Sequence, residues 1–279
     1  MTVHLAFPLI WIGSIATGLL GALTGLGGGA IIVPLLVLLF GIDIRYAAGA
    51  SLLSVIATSS GAAAAYVREG VSNVRIGLFL EIATTLGAVL GAGVAAYVAK
   101  DAIAVIFAIV LLIAAASSFR GNKHETPVPP GSDPLGRALR LDGTYPEHGQ
   151  VIAYGVRRVP AGFGVMFLAG GLSGLLGIGS GALKVIAMDD VMRLPFKVST
   201  TTSNFMIGVT AAASAGVYLA RGYIDPTIAA PVVLGILPGA LLGARLLPHM
   251  RNRLLRKVFA VVVALLAAQM FYRGVTGGM

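Results

Sequence analysis

The stretch GLLGALTGLGGGAIIVP, residues 18–34, places a run of glycines between two apolar segments. Glycine is the poorest helix former after proline, and a lipid bilayer offers no water to hydrogen-bond an opened backbone. Inside a membrane such a run is tolerated only where it is buried in protein. The stretch therefore predicts a helix that is interrupted within the bilayer by a buried turn.

Composition places the chain among integral membrane proteins. Of its 279 residues, 57% are hydrophobic and only 11% are charged, with a mean hydropathy of +0.92, whereas soluble domains carry about 25% charged residues. Apolar segments recur at lengths near the roughly 20 residues that cross a bilayer, which favours helices over barrel strands. The net charge of +9 comes mainly from basic residues in short loops. That pattern is typical of topology signals, so no nucleic-acid partner is predicted.

Ten apolar segments can be placed, five on each side of a polar interval. They are 4–24, 28–40, 46–67, 75–98 and 102–119, then 160–177, 180–191, 198–219, 227–248 and 254–272. We predict an all-α membrane protein with a first membrane repeat at 1–119, a linker at 120–159 and a second membrane repeat at 160–279. Each repeat should hold a glycine-broken helical hairpin and three long transmembrane helices.

The two halves match at a constant offset of 152 positions without a gap. Matching pairs include Gly29 and Gly181, Arg45 and Lys197, Thr58 and Thr210, Tyr66 and Tyr218. Because each half holds an odd number of segments, equivalent loops lie on opposite sides and the repeats are predicted to be inverted. The bias of basic residues places the linker in the cytoplasm and the N-terminus outside. Inverted repeats are common in secondary transporters, with the substrate site near the midplane.

The linker contains two short stretches that predict strands, ALRLDGTY at 138–145 and QVIAYGVRRV at 150–159. We expect them to pair as a small cytoplasmic β-hairpin. A structural connection between the repeats is the simpler role for this element, with substrate sensing as the alternative.

A second glycine run, GLSGLLGIGSGALKVIAMDD at 171–190, mirrors the first. In each half the segment that follows spans only about 20 Å, which predicts a half-helix that starts within the bilayer. Helix N-termini carry free N–H groups and partial positive charge, and so bind anions. The predicted backbone ligands are Gly27, Gly28, Gly29, Gly179, Ser180 and Gly181.

Glycine-rich runs also occur in dinucleotide-binding motifs and in close helix packing. A dinucleotide fingerprint is excluded because no strand precedes the glycines and no soluble βαβ unit surrounds them. Close helix packing through small residues stays open for both runs. It is the preferred explanation for the glycines spaced four apart on long segments, Gly87 with Gly91 and Gly239 with Gly243.

Lys184 lies in the first turn of the second half-helix, where the first half carries apolar Ile32. An ionisable side chain at membrane depth costs at least about 2.5 kcal/mol and is functional by default. We predict that Lys184 binds the anion, with snorkelling or a salt bridge to another segment as alternatives. The polar side chains predicted to complete the site are Ser51, Ser203 and Asn204.

Glu81 and Asp189 are candidates for coupling transport to proton movement. For Glu81 an ion pair near Arg75 is the alternative, since both are placed close to the inner surface. The four histidines show no metal-ligand spacing, and no nucleophile can be paired with a base. Neither a metal, a cofactor nor an enzymatic activity is therefore predicted.

The stretches GLGGGAIIVP at 25–34 and GLLGIGSGALKVIAMDDVMRLPFKVSTTTSNFMIGVTAAASAG at 174–216 resemble the TauE/SafE family of sulfite exporters. The similarity covers nearly the whole chain, although Ser180 stands where glycine is more usual. The resemblance implies transport of sulfite or small organosulfonates across the bacterial cytoplasmic, or inner, membrane.

Together these features predict a secondary transporter that moves a small oxyanion by alternating access, with export as its direction. Coupling to protons, to sodium or to no ion stays open. The alternative is a carrier or channel for a different small solute, including a cation held by Asp189, Asp190 and backbone carbonyl groups. The expected partners are the anion and the lipid bilayer; a homodimer is compatible with the sequence, which shows no interface.

Overall fold

The computed structural model describes residues 3–24, 28–68, 72–119, 128–147, 150–179, 181–246 and 252–277. The first half holds α1 (Val3–Thr24), α2 (Gly29–Phe40), α3 (Ile44–Arg68), α4 (Val74–Val94) and α5 (Lys100–Phe119). The linker holds α6 (Pro134–Ala138), β1 (Gly143–Glu147) and β2 (Gln150–Tyr154). The second half holds α7 (Val159–Leu176), α8 (Gly181–Ile186), a π-helical turn (Ala187–Val191), α9 (Phe196–Ala220), α10 (Pro226–Leu246) and α11 (Asn252–Val275). Nine of the ten predicted apolar segments each coincide with one of these helices to within a few residues, and the segment at 180–191 coincides with α8 and the π-helical turn together.

The chain is a multi-pass membrane protein. Within the described residues, four helices are long and apolar enough to cross a bilayer: α4, α7, α9 and α10. On α4, Leu78, Ile82, Leu86 and Leu90 follow at every fourth position and are 56–58% exposed. Positions four apart share one helix face, so these side chains form a continuous exposed apolar stripe. Contact with lipid explains such a stripe, which water would penalise.

Helix pairs from opposite halves pack backbone against backbone through glycine. α1 packs against α10, and α4 packs against α7. A Cβ at Gly87 would lie 2.1 Å from the Phe167 carbonyl oxygen, and a Cβ at Gly239 would lie 2.1 Å from the Ile15 carbonyl oxygen. No side chain fits at either position, so the packing role predicted for these glycines is confirmed. α3 packs mainly against α9, and α5 against α11.

The linker packs against one end of the helix bundle, the linker end. At the start of α4 the Asn73 amide donates to the Leu141 carbonyl oxygen at 3.0 Å and to the Tyr154 hydroxyl at 2.9 Å. At the start of α9 the Lys197 ammonium donates to the Pro146 carbonyl oxygen at 3.1 Å. Leu141 and Tyr154 are buried in one cluster with residues of α4 and α9.

The opposite end, the far end, is tied together by other residues. At the start of α3 the Arg45 guanidinium donates to the Val98 carbonyl oxygen at 2.9 Å, just past the end of α4. Tyr46 meets Tyr223, shortly before α10, edge to face with ring centroids 5.8 Å apart. α4 therefore runs from the linker end to the far end, whereas α10 starts at the far end.

The predicted β-hairpin is present, with strands shorter than expected. β1 begins at Gly143 because α6 ends at Ala138 and a turn follows it, in which the Leu141 N–H group donates to the Gly136 carbonyl oxygen at 2.9 Å. The start of α6 is capped by the Asp133 carboxylate, to which the N–H groups of Leu135 and Gly136 both donate at 3.0 Å. Burial alone would raise the pKa of Asp133, but backbone N–H groups, Gly136 first among them, hold it below its ordinary value. β2 ends at Tyr154 because the next N–H group, of Gly155, donates to the Val128 carbonyl oxygen at 2.7 Å.

Substitution of alanine for glycine on α4 tests the backbone packing. A Cβ at Gly91 would lie 2.0 Å from the Gly171 carbonyl oxygen, whereas a Cβ at Gly93 meets nothing within 4 Å. We expect Gly91→Ala to destabilise the protein by about 1–3 kcal/mol through overpacking. Gly93→Ala, the matched control on the same helix, should be neutral. Unfolding in mixed detergent micelles measures both, and equal effects would contradict the packing.

Candidate functional site

Both helices predicted to be interrupted end at their glycine runs. α1 ends at Thr24 and α2 begins at Gly29, while α7 ends at Leu176 and α8 begins at Gly181. In the second run Gly177 and Gly179 have φ values of +70° and +71°, which side-chain-bearing residues rarely adopt. The predicted ligands Gly27 and Ser180 lie outside the described residues.

The starts of α2 and α8 lie at the middle of the helix bundle. A Cβ at Gly29 would lie 2.9 Å from Val55, halfway along α3, and 3.2 Å from the Ile178 carbonyl oxygen. A Cβ at Gly179 would lie 2.9 Å from Val55 and 2.9 Å from Ile207, halfway along α9. The two glycine turns therefore approach each other around one buried valine.

Gly28 and Gly181 stand at the first turns of the two half-helices. Gly28 lies against Ile236, halfway along α10, with 2.4 Å between its ideal Cβ position and the Ile236 Cδ1 atom. The first N–H groups of an α-helix have no acceptor within the helix itself. Each half-helix consequently presents backbone donors and the positive end of its dipole at mid-depth.

Ser51 and Ser203 hold the second glycine run in place. The Ser51 hydroxyl donates to the Gly177 carbonyl oxygen at 2.7 Å, and the Ser203 hydroxyl donates to the Gly181 carbonyl oxygen at 3.2 Å. Both serines are buried. A hydroxyl has one proton, so neither group donates to an anion while these bonds persist. The structure places both predicted ligands as supports of the turn.

Asn204 lies next to Ser203 on α9 and is half-buried. Its amide has no hydrogen-bond partner among the residues that the structure describes. One helical turn further on, Gly208 packs against Ser59 of α3, with 2.4 Å between its ideal Cβ position and the Ser59 hydroxyl oxygen. Asn204 therefore lies on the face of α9 that is turned toward α3, with two N–H donors available.

Lys184 is fully buried and paired with a carboxylate from another helix. Its ammonium nitrogen lies 2.5 Å from the Thr210 hydroxyl oxygen and 3.5 Å from Glu81 Oε2. The Thr210 hydroxyl lies 2.5 Å from Glu81 Oε1, which also accepts from the Thr85 hydroxyl at 3.1 Å. α4, α8 and α9 thus meet in one buried polar cluster.

The salt bridge to another segment, which the sequence left open as the alternative to anion binding by Lys184, is present, and its partner is Glu81 of α4. Glu81 is buried and bound to Lys184, while Arg75 is exposed near the start of α4, so the suggested pairing of Glu81 near Arg75 is wrong. Sequence reasoning also missed Thr210 and Thr85 as its partners. A signal was present: Glu81 and Lys184 both replace apolar counterparts, Val233 and Ile32. Asp189 lies half-buried and Asp190 exposed in the π-helical turn.

Exchanging the charged pair for its own apolar counterparts tests the contact. Glu81→Val or Lys184→Ile alone leaves one buried charge without its partner, and each should cost about 3–5 kcal/mol of stability. The double variant removes both charges, and its stability should be much closer to that of the wild type than the stability of either single variant. Unfolding in mixed micelles gives the coupling energy. If the destabilisation of the double variant equalled the sum of the two single destabilisations, the two side chains would not interact.

Known proteins resemble this chain along nearly its whole length. The sequence profile described as Sulfite exporter TauE/SafE matches residues 10–270. Probable membrane transporter protein YunE of Bacillus subtilis (strain 168) is 27% identical over 97% of this chain and 99% of that protein. A probable membrane transporter protein of Xylella fastidiosa (strain 9a5c) is 25% identical over 98% of this chain and 97% of that protein. No solved structure matches with statistical significance. The chain belongs to the sulfite exporter TauE/SafE family of membrane transport proteins.

Proposed function

We propose that this protein is a secondary transporter of a small oxyanion, sulfite or an organosulfonate, and not an enzyme. The observation that carries the proposal is the meeting of two helix starts at mid-depth, around Val55. Alternating access then exposes the two helix starts to one side of the membrane at a time. Export is the direction that family membership favours, and an outward anion gradient drives it.

Inversion of the two repeats is part of the proposal, and mirrored contacts support it. Gly87 lies against the Phe167 carbonyl, and Gly239 lies against the Ile15 carbonyl. Gly87 and Gly239 are equivalent positions 152 residues apart, and so are Ile15 and Phe167. Likewise Gly170 lies against the Thr84 carbonyl, as Gly18 does against that of Ile236. Exchanging the halves therefore reproduces the contacts. α4 and its counterpart α10 start at opposite ends of the bundle, as inverted repeats require.

Backbone chemistry at the glycine turns favours an anion over a cation. The carbonyl oxygens of Gly177 and Gly181 already accept hydroxyl protons from Ser51 and Ser203. Carbonyl oxygens are the groups that a cation would need, whereas the N–H groups at the helix starts are the groups that an anion needs. Glycine at these positions lets the backbone come close to a ligand.

Sulfite and sulfonates share a pyramidal group of three oxygens that accept hydrogen bonds. In our proposal the N–H groups around Gly28, Gly29 and Gly181 bind two of these oxygens, and the Asn204 amide binds the third. Gly27, Gly179 and Ser180 complete the turns. Ser51 and Ser203 position the backbone, and the buried Lys184 supplies positive charge one turn away from Gly181.

Flux measurements in proteoliposomes test the transport function. We expect efflux of radiolabelled sulfite or methanesulfonate from loaded vesicles, and no efflux of sodium or potassium. Asn204→Leu installs the residue found at the equivalent position, Leu52. Loss of one hydrogen bond to a charged ligand, worth about 1.5–3 kcal/mol, should raise the half-saturating concentration about tenfold or more.

Gly216→Ala is the matched control on α9, because a Cβ there meets nothing within 4 Å. It should leave transport unchanged. Flux of cations without anions, or of neither, contradicts the proposed function. Equal transport by Asn204→Leu and the wild type removes Asn204 from the site.

Single-cysteine labelling tests the proposed orientation, with the linker in the cytoplasm and the N-terminus outside. The chain has no cysteine, so each introduced thiol is unique. Ser132 in the linker and Thr227 at the far end are both exposed. In intact cells a membrane-impermeant maleimide should label Thr227→Cys and spare Ser132→Cys. The reverse pattern contradicts the orientation.

A further inference from the structure

The buried ion pair occurs in only one of the two equivalent places in the fold. The positions equivalent to Lys184, Glu81 and Thr210 are Ile32, Val233 and Thr58. The Thr58 hydroxyl bonds only to backbone carbonyls of its own helix, those of Ser54 and Val55, among the described residues. The fold is therefore stable with two apolar residues, Ile32 and Val233, at one of the two equivalent places, and carries the ion pair at the other. The pair is therefore dispensable for the architecture and demands a separate explanation.

The two carboxylate oxygens of Glu81 have unequal surroundings. Oε1 accepts from the Thr85 and Thr210 hydroxyls. Oε2 is buried and has no hydrogen-bond donor among the described residues, with the Lys184 ammonium facing it at 3.5 Å. If the ammonium moved away, the buried carboxylate would lose the positive charge that faces Oε2. An unpaired buried carboxylate takes up a proton in preference to staying charged.

The helices packed around the pair carry few other charged groups. α7 carries no charged residue, and Arg75 on α4 is exposed. Lys197, the charged residue of α9, contacts the linker. α5 begins with Lys100 and Asp101 at the far end, and the π-helical turn after α8 carries Asp189 and Asp190. The Lys184 ammonium consequently has Glu81 as its ion-pair partner within the described part of the chain.

When the pair separates, Thr210 loses the bond from Lys184 but keeps an acceptor for its own hydroxyl proton. Its hydroxyl oxygen lies within reach of two acceptors, Glu81 Oε1 at 2.5 Å and the Met206 carbonyl oxygen at 3.1 Å. It can donate to the carbonyl when the carboxyl group is neutral. Lys184 itself lies three residues after Gly181, one helical turn from the proposed anion donors.

We propose that Glu81 is the proton-coupling residue of the carrier, and that Lys184 is shared between Glu81 and the transported anion. When the anion arrives, the Lys184 ammonium turns toward it and keeps all of its protons. A proton from water binds Glu81 Oε2, and the carboxyl group becomes neutral. Proton and anion leave together on the other side, and the ion pair forms again. One proton then accompanies each monovalent anion, with no net charge moved.

Coupled flux in proteoliposomes tests this mechanism, which rests on the proposed function. Methanesulfonate is the probe, because it stays a monoanion throughout the accessible pH range and carries no proton itself. Wild-type vesicles with a trapped pH indicator should change their internal pH as the anion moves, at one proton per anion. The rate should not respond to a membrane potential set with valinomycin and potassium.

Glu81→Gln keeps the shape of the side chain but cannot carry the proton. We expect its methanesulfonate flux to continue without a pH change and to become dependent on membrane potential. Should this variant fold poorly, the Glu81→Val/Lys184→Ile double variant removes both charges and should also move the anion, at lower affinity, without protons. Arg75→Gln, on the same helix and exposed, should stay coupled as in the wild type.

The outcomes separate this mechanism from the proposed function. Wild-type anion flux without protons overturns the coupling and leaves the transporter intact. Proton movement with the anion in either charge-removing variant also overturns the coupling. Complete loss of anion flux in both variants overturns it too, because the backbone donors that bind the anion are still present in them. Absence of all anion flux in the wild type defeats the proposed function itself.

Discussion

A helix that starts inside a membrane must find partners for its first N–H groups, and this constraint shapes the whole protein. Lipid supplies none, so the starts of α2 and α8 can exist only where protein or a bound ligand covers them. α3 and α9 provide the cover, with Val55 and Ile207 packed against the glycine turns. Ser51 and Ser203 hold the carbonyl groups of the second turn. In our proposal, the first N–H groups of these two helices bind the transported anion.

Glycine also brings long helices of the two halves into close contact. Glycines at positions such as Gly87, Gly170 and Gly239 bring α4 against α7 and α1 against α10 with backbone oxygen atoms where side chains would stand. Because helix association in lipid gains little from the hydrophobic effect, intimate van der Waals contact has to supply the stability. The same residue type therefore serves two purposes here, as a tight helix contact and as a turn.

The helical architecture could be predicted closely from the sequence, because hydropathy reports directly on what lipid accepts. The interruption of the helices at the glycine runs was also predictable, since a short apolar segment follows each run and the two segments are 152 positions apart. The strands of the linker were placed less well, because α6, which the Asp133 carboxylate caps, ends at Ala138 and is followed by a turn that delays β1 to Gly143.

Side-chain partners were harder to predict. The pairing of Glu81 with Lys184 joins α4 to α8 across 103 residues, and helical spacing reports only on neighbours within one helix. The hydroxyl groups of Ser51 and Ser203 were recognised as important, but their acceptors depend on where the opposing backbone lies. Comparison of the two halves carries the missing information, since both charged residues replace apolar counterparts.

Direct observation of an anion at the helix starts tests the central claim most sharply. Crystals of the purified protein grown with selenite, which mimics sulfite, can be measured at the selenium absorption edge. The account predicts an anomalous peak within hydrogen-bond distance of the first N–H groups of α2 or α8, beside Asn204. A peak found only at surface arginines, or none at the glycine turns in saturating selenite, would contradict it.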